Sequence, residues 1–262
     1  MNNPSLLING LKEYGFEPSE KQLWQFERYY EMLVEKNKVM NLTAITEYDE
    51  VMLKHFIDSL AVVKIAENNL EISKLLNGNT DSSITEVGNS TKSEQIKLLD
   101  LGTGAGFPGL PIKIMFPQLK VTLMDSLNKR IRFLQEVIDE LELEDIEAVH
   151  ARAEEFARKP EYREQYDFVV SRAVARMATL TEFCFSYVKV GGYFLPYKSA
   201  GATEEIEEAD KAIATLGGKL EKIETITLPQ SDIVRTIPVV NKIKATPGKY
   251  PRVGKKAETN PI

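Results

Sequence analysis

The sequence predicts an α/β, Rossmann-like fold: a mostly parallel sheet ending in an antiparallel hairpin, preceded by an N-terminal helical cap. Three observations predict it. Residues 1–76 place apolar side chains at helical spacing. Residues 96–242 alternate short apolar runs with helical stretches, and a glycine-rich turn joins the first of those runs to the helix after it. The expected division is a cap over 1–76, a flexible loop over 77–95, an α/β core over 96–242 and a basic C-terminal tail over 243–262.

In the cap, Ser19 followed by Gln22 fits a capping box that opens a long helix. Leu23, Phe26, Tyr30, Leu33 and Val34 then form one apolar stripe, flanked by Trp24 and Tyr29. A polar connection over 37–43 leads to a second helix from Asp49 to Ala66, with Met52, Phe56, Leu60 and Val63 on one face. Residues 77–95 are rich in Asn, Ser, Thr and Gly and cannot bury a core, which predicts a mobile loop.

In the core, strands are expected at Ile96–Leu101, Lys120–Asp125, Ile146–His150, Tyr166–Arg172 and Gly192–Tyr197. Helices are expected at Pro108–Phe116, Lys129–Leu141, Ala178–Val188 and Thr203–Leu216. Two final strands, Ile223–Leu228 and Arg235–Lys242, are joined by a link too short for a crossover helix, so they pair antiparallel. A doubly wound parallel sheet with such a hairpin is the pattern of class I methyltransferases.

Composition narrows the function. The chain has 262 residues and no apolar run near the roughly 20 needed to span a bilayer. Its N-terminus lacks the basic start and apolar core of a signal peptide, so a cytoplasmic location is expected. One cysteine, Cys184, and two histidines, His55 and His150, make a disulfide or a zinc or iron centre unexpected; no metal is predicted. The net charge is −6, yet residues 241–262 carry +5, leaving −11 for the rest. That tail is either a phosphate contact, with Lys249 and Arg252 as candidates, or a solvated, partly disordered end; charge alone favours the second.

The most informative stretch is Asp100-Leu101-Gly102-Thr103-Gly104-Ala105-Gly106-Phe107-Pro108-Gly109. It follows a strand and opens a helix, where doubly wound sheets bind ligands. Gly104, Gly106 and Gly109 satisfy a dinucleotide fingerprint, with acidic Asp125 about 20 residues on. Asp100 ahead of Gly102, Gly104 and Gly106 fits a different ligand. A carboxylate there holds a cationic amino group, directly or through water, and repels a pyrophosphate. Pro108 also removes one N–H that a pyrophosphate would use. The balance favours S-adenosylmethionine over a nicotinamide cofactor; a tight turn without ligand is the remaining structural alternative. Asp125, ending the next strand, accepts hydrogen bonds from ribose hydroxyls in either case.

LLDLGTGAGFPGLPIKIMFP at 98–117, MDSLNKRIRFLQEV at 124–137, ARAEEF at 151–156 and SRAVA at 171–175 resemble the RsmG (GidB) family of bacterial small-subunit ribosomal RNA methyltransferases. The likeness extends to NKVMNLTAI and KHFIDSL in the cap and to TPGKYPRVGKKAETNPI at the end. It implies a class I S-adenosylmethionine-dependent core with a helical cap, methylating N7 of a guanine in the 530 loop of 16S ribosomal RNA and releasing S-adenosylhomocysteine. It further implies that Gly102 and Phe107 line the cofactor site, that Ala153 and Glu154 lie beside the adenine, and that Arg172 lies near the methionine end. Asn41, His55, Asp58, Lys198 and Arg235 match positions of the active cleft, and Lys129 and Arg152 match positions of substrate handling. The implied partner is 16S ribosomal RNA or the small ribosomal subunit, met by a monomer without metal or membrane.

N7 of guanine carries a lone pair and no proton, so its methylation needs alignment rather than a general base. That agrees with the lack of a Ser-His-Asp set or a catalytic cysteine in the sequence. Lys198 or Arg235 could bond the O6 acceptor beside N7. The rival activities are methylation of a small molecule or protein, nicotinamide-dependent oxidoreduction, and RNA binding without catalysis.

Overall fold

The computed structural model describes residues 3–77 and 95–262. Helix α1 (Ser5–Glu13) buries Leu7 and Leu11. Helix α2 (Glu20–Met40) opens at the expected capping box: the Ser19 hydroxyl accepts from the Gln22 amide, and the Ser19 amide donates back to Gln22 Oε1. The stripe on α2 is centred differently from the expectation. Phe26, Tyr29 and Leu33 are fully buried, while Leu23, Tyr30 and Val34 are half-buried and Trp24 is 46% exposed. The reason is that α2 packs on the core as well as on the cap: Gln22 donates to Ile114 O, and Gln25 to Leu141 O.

Helix α2 runs to Met40 and ends on Asn41 in the left-handed region (φ 51°), so the connection expected at 37–43 is shorter than read. The single helix expected from Asp49 to Ala66 is broken. Helix α3 (Tyr48–Val51) runs into a π-helical turn (Met52–Ile57), and after a turn at Leu60-Ala61 come α4 (Val62–Ala66) and α5 (Leu70–Asn77). Met52, Phe56, Leu60 and Val63 are buried as expected. The π turn widens the inward face, so His55, Ile57 and Asp58 are buried too. The loop expected at 77–95 lies, apart from its two end residues, outside the described residues; Gln95 itself donates to Gln118 O and Asp145.

Seven strands form one sheet among the described residues, in the order β3-β2-β1-β4-β5-β7-β6. In chain order the core runs β1 (Lys97–Leu101), α6 (Gly109–Met115), β2 (Lys120–Asp125), α7 (Asn128–Glu140), β3 (Ile146–His150), α8 (Ala153–Phe156), β4 (Tyr166–Arg172), α9 (Met177–Phe185), β5 (Val188–Ser199), α10 (Thr203–Glu208), α11 (Asp210–Thr215), β6 (Gly218–Thr227) and β7 (Val234–Lys242). The first five strands pair in parallel, and β7 runs antiparallel between β5 and β6, as expected for a class I methyltransferase core. Strand pleating divides the core: Leu98, Val121, Phe168 and Leu195 join the cluster with the N-terminal helices, and Leu99, Met124, Val169 and Phe194 join the cluster with α9. The helix expected to reach Val188 stops at Phe185, and the one expected over 203–216 is divided at Ala209.

The solvated reading of the C-terminal tail holds for the exposed Lys244, Lys249, Lys255 and Lys256 and fails for Lys242 and Arg252, and the tail's backbone is anchored on the core. Its last element, α12 (Lys256–Thr259), packs on α9 with Ala257 fully buried. Core side chains hold the tail by its backbone: Arg163 donates to Thr246 O and Tyr250 O, Arg158 to Pro251 O, and Thr179 to Ala257 O. Lys242, counted among the tail's charges, is buried against Glu164 (2.8 Å), and burial pushes its pKa down to about 8. No helix among the described residues is long and apolar enough to cross a membrane, and none of their side chains cluster as a metal site.

Candidate functional site

Gly102, Gly104 and Gly106 all take positive φ (74°, 64° and 110°), so the chain turns sharply after β1. Asp100 anchors this turn from below. It is fully buried, and its Oδ2 accepts from Thr103 Oγ1 (2.6 Å) and from the Gly109 amide (2.8 Å). A Cβ on Gly109 would lie 2.9 Å from Asp100 Oδ2 and 2.4 Å from Leu123, so only glycine lets α6 start this close to the carboxylate. Burial pushes the Asp100 pKa up to about 6, against the lowering pull of those two hydrogen bonds. Its second oxygen, Oδ1, is buried without a partner. An orphaned acceptor of this kind suits an ammonium or water donor and disfavours an anionic pyrophosphate.

A cavity of about 430 Å³ opens over the carboxyl ends of β1, β2 and β3. That volume lies in the range of small-molecule sites. Its walls include Gly102, Asp125, Leu127, Arg152, Ala153 and Glu154, with Ala173 and Val174 from the loop after β4 and Phe183 from α9. Asp125 is 4% exposed and already organises the site: Oδ2 accepts from the Gly104 amide (3.0 Å) and Arg130 (3.1 Å), and Oδ1 from the Leu127 amide (2.9 Å). A carboxylate offers about four acceptor directions, so these three donors leave Asp125 Oδ1 a further one.

A second group of residues faces the cap. Phe107 lies between His55, stacked at 4.4 Å, and Tyr29 at 5.4 Å, with the Arg172 guanidinium 5.1 Å from its ring centre. The Tyr29 hydroxyl donates to Ala105 O (2.5 Å) within the turn. Arg172 donates to Asp58 Oδ2 (2.9 Å), Lys54 O (3.1 Å) and His55 Nδ1 (3.1 Å). Arg235 adds a bidentate pair to Asp58 at 2.7 and 3.0 Å. A guanidinium only donates, so His55 Nδ1 accepts; the ring is neutral and its Nε2–H donates to Thr43 Oγ1 (2.8 Å). Burial, and then the Arg172 charge, push the His55 pKa down to about 3.

The sequence-predicted residues thus fall into two adjoining groups. Gly102, Asp125, Arg152, Ala153 and Glu154 line the cavity; His55, Asp58, Phe107, Arg172 and Arg235 form the cap-side cluster; and Arg172 leads directly into Ala173 and Val174 of the cavity wall. Gly104 and Gly106 shape the turn between them. Lys198 donates to Ala175 O and Glu205 (both 2.8 Å), so it holds the loop after β4 instead of standing free for a base. Arg252 is committed to the buried Glu182 (2.6 Å), which leaves it ill placed to meet phosphate as expected. Lys129 donates to Met40 O (3.3 Å), beside the exposed Asn41, and the exposed Lys249 lies 5.2 Å from the Tyr250 ring. Sequence reasoning missed Tyr29, Val174, Phe183 and Glu258. Three had a signal: Tyr29 lies between two stripe residues, Val174 within the SRAVA stretch and Glu258 within the C-terminal stretch that carry the resemblance.

The family model described as rRNA small subunit methyltransferase G matches residues 22–76 and 70–234. Curated relatives bear the name ribosomal RNA small subunit methyltransferase G. The protein of Lachnoclostridium phytofermentans is 52% identical over 262 residues, all of this chain and 98% of that protein. That of Alkaliphilus metalliredigens is 46% identical over 96% of this chain and 95% of its own length. That of Acetivibrio thermocellus is 46% identical over 98% and 96%.

Proposed function

The chain belongs to the rRNA small subunit methyltransferase G family, and from that premise we propose that it transfers a methyl group from S-adenosylmethionine to N7 of a guanine in the 530 loop of 16S ribosomal RNA. The observation that carries the reading is the cavity above β1, β2 and β3, bounded by Gly102, Asp125 and Glu154, with the Asp100 carboxylate beneath its turn. Asp125 would hold the ribose, Ala153 and Glu154 the adenine, and the Gly102–Gly106 turn and Arg172 the methionine end.

When bound, S-adenosylmethionine would supply an electrophilic methyl carbon on a cationic sulfur for the N7 lone pair, its products being S-adenosylhomocysteine and a cationic N7-methylguanine. No proton leaves N7, so no residue need act as a base. His55 fits this: its Nδ1 is taken by Arg172, and it serves to position that guanidinium. The protein's task is alignment, which supplies roughly 7–11 kcal/mol in favourable cases. Lys198, through Ala175 O and Glu205, would fix the loop that forms the β4 side of the cavity.

Residues 1–76 would cap this core and, with Asn41, Lys129, Arg152 and Lys249, help seat the RNA, while 243–262 would complete the core. The enzyme would work in the cytoplasm as a monomer on 16S ribosomal RNA or the small subunit. The test offers labelled methyl donor to small subunits lacking the modification and maps the product by chemical cleavage at N7-methylguanine. Label at the 530-loop guanine is expected; label elsewhere overturns the substrate assignment.

A further inference from the structure

The tail's anchoring gives one of its side chains a fixed address. Arg252 is bidentate on the buried Glu182, Ala257 is fully buried, and Ala257 O accepts from Thr179. Between these anchors and the end of the chain stands Glu258. Its carboxylate makes no hydrogen bond or ion pair among the described residues, and it lines the same cavity as Gly102 and Asp125. It also lines a neighbouring cavity walled by Ala175, Met177 and Thr179, which follow β4. Glu258 therefore stands where the first cavity meets a second one walled by the chain that follows β4.

A methyl donor laid across the strand ends, adenine at β3 and sugar at Asp125, brings its amino-acid half to the β4 end. That half carries two cationic centres, the α-ammonium and the sulfonium. Of the other carboxylates on the wall, Asp125 already binds two amides and Arg130, and Glu154 stands at the adenine end. We propose that Glu258 is a cofactor-binding residue whose carboxylate faces the cationic amino-acid half of the methyl donor, so that the C-terminal segment completes the cofactor site. The inference rests on reading this cavity as the methyl-donor site.

Calorimetric titration of the full-length chain tests it, with S-adenosylmethionine and with 5′-methylthioadenosine, which lacks both cationic centres. Glu258→Gln is expected to weaken S-adenosylmethionine about tenfold, as for loss of one charge-assisted contact, while 5′-methylthioadenosine changes less than about twofold. Glu258→Asp keeps the charge and recovers most of the loss. Equal weakening of both ligands, or of neither, overturns the proposal. Wild-type chain that binds neither ligand removes the cavity reading itself, and the role of Glu258 falls with it.

Discussion

The rings of His55 and Phe107 lie face to face, 4.4 Å apart and 15° from parallel. One ring belongs to the π-helical turn of the cap and the other to the glycine-rich turn of the core. The contact therefore couples the two parts of the chain at the place where Arg172 reaches both. Such a contact between neutral rings is sensitive to protonation, because a charged His55 would face the Arg172 guanidinium.

The pH dependence follows from that. His55 titrates at about 3 in the folded chain and near 6.5 when unfolded, so its contribution to stability is complete above about 6.5 and is lost as pH falls towards 3. Asp100 has the opposite sign: raised from 3.8 to about 6, it favours the fold at low pH and costs stability as pH rises through that window. The two partly cancel between about pH 4 and 6. A His55→Gln variant removes one of them. Chemical denaturation of wild type and variant at pH 7 and pH 5 should show the wild type losing more stability on acidification, by up to about 1.4 kcal/mol per pH unit. Parallel losses would mean that His55 is not held neutral.

Replacing Asp125 by Ala removes the acceptor at the end of β2. The expected outcome is cofactor affinity weakened by at least about 1 kcal/mol, since charged hydrogen bonds are lost. Calorimetry on the folded variant measures it, and an unchanged affinity would refute the ribose placement.

Two glycines of the turn should answer alanine differently. At Gly109 the new Cβ meets Leu123 at 2.4 Å and Asp100 at 2.9 Å, so about 1–3 kcal/mol of overpacking is expected, with displacement of α6. At Gly104 nothing lies within 4 Å, and the cost is that of positive φ alone, roughly 1 kcal/mol. Thermal unfolding of both variants tests the order.

The same comparison shows what the sequence could and could not display. Strand and helix periodicity are local, so β2, β3 and β4 begin and end where spacing placed them, and the Ser19 capping box is where it was read. The break of the 49–66 helix into a π turn is not local. It places His55 and Asp58 against Arg172 and Arg235, contacts spanning more than a hundred residues, and no periodicity encodes them. Tyr29 was misplaced because a helix packed on two sides has no single stripe. Two tail cations misled for a related reason: Lys242 and Arg252 look solvated until Glu164 and Glu182, distant in sequence, arrive beside them, whereas Lys244, Lys249, Lys255 and Lys256 do stay exposed.

Arg252 offers the sharpest separation between a structural and an RNA-binding role. Glu182 is completely buried, and both guanidinium and amide of Arg252 bond it at 2.6–3.2 Å. Removing the guanidinium leaves the buried Glu182 charge with only the residue 252 amide beside it, which costs up to about 3–5 kcal/mol. Arg252→Met should therefore lower the unfolding free energy by that order, and the double variant Arg252→Met with Glu182→Gln should recover much of it, because the unpaired charge is gone. An RNA contact would behave otherwise. The salt dependence of RNA affinity would flatten by about one counterion in Arg252→Met, and the second substitution would not restore it. Denaturant titrations of the two variants, with RNA binding measured at several salt concentrations, distinguish these outcomes. Restored stability with an unchanged salt slope is the result expected of a residue that ties the tail to α9.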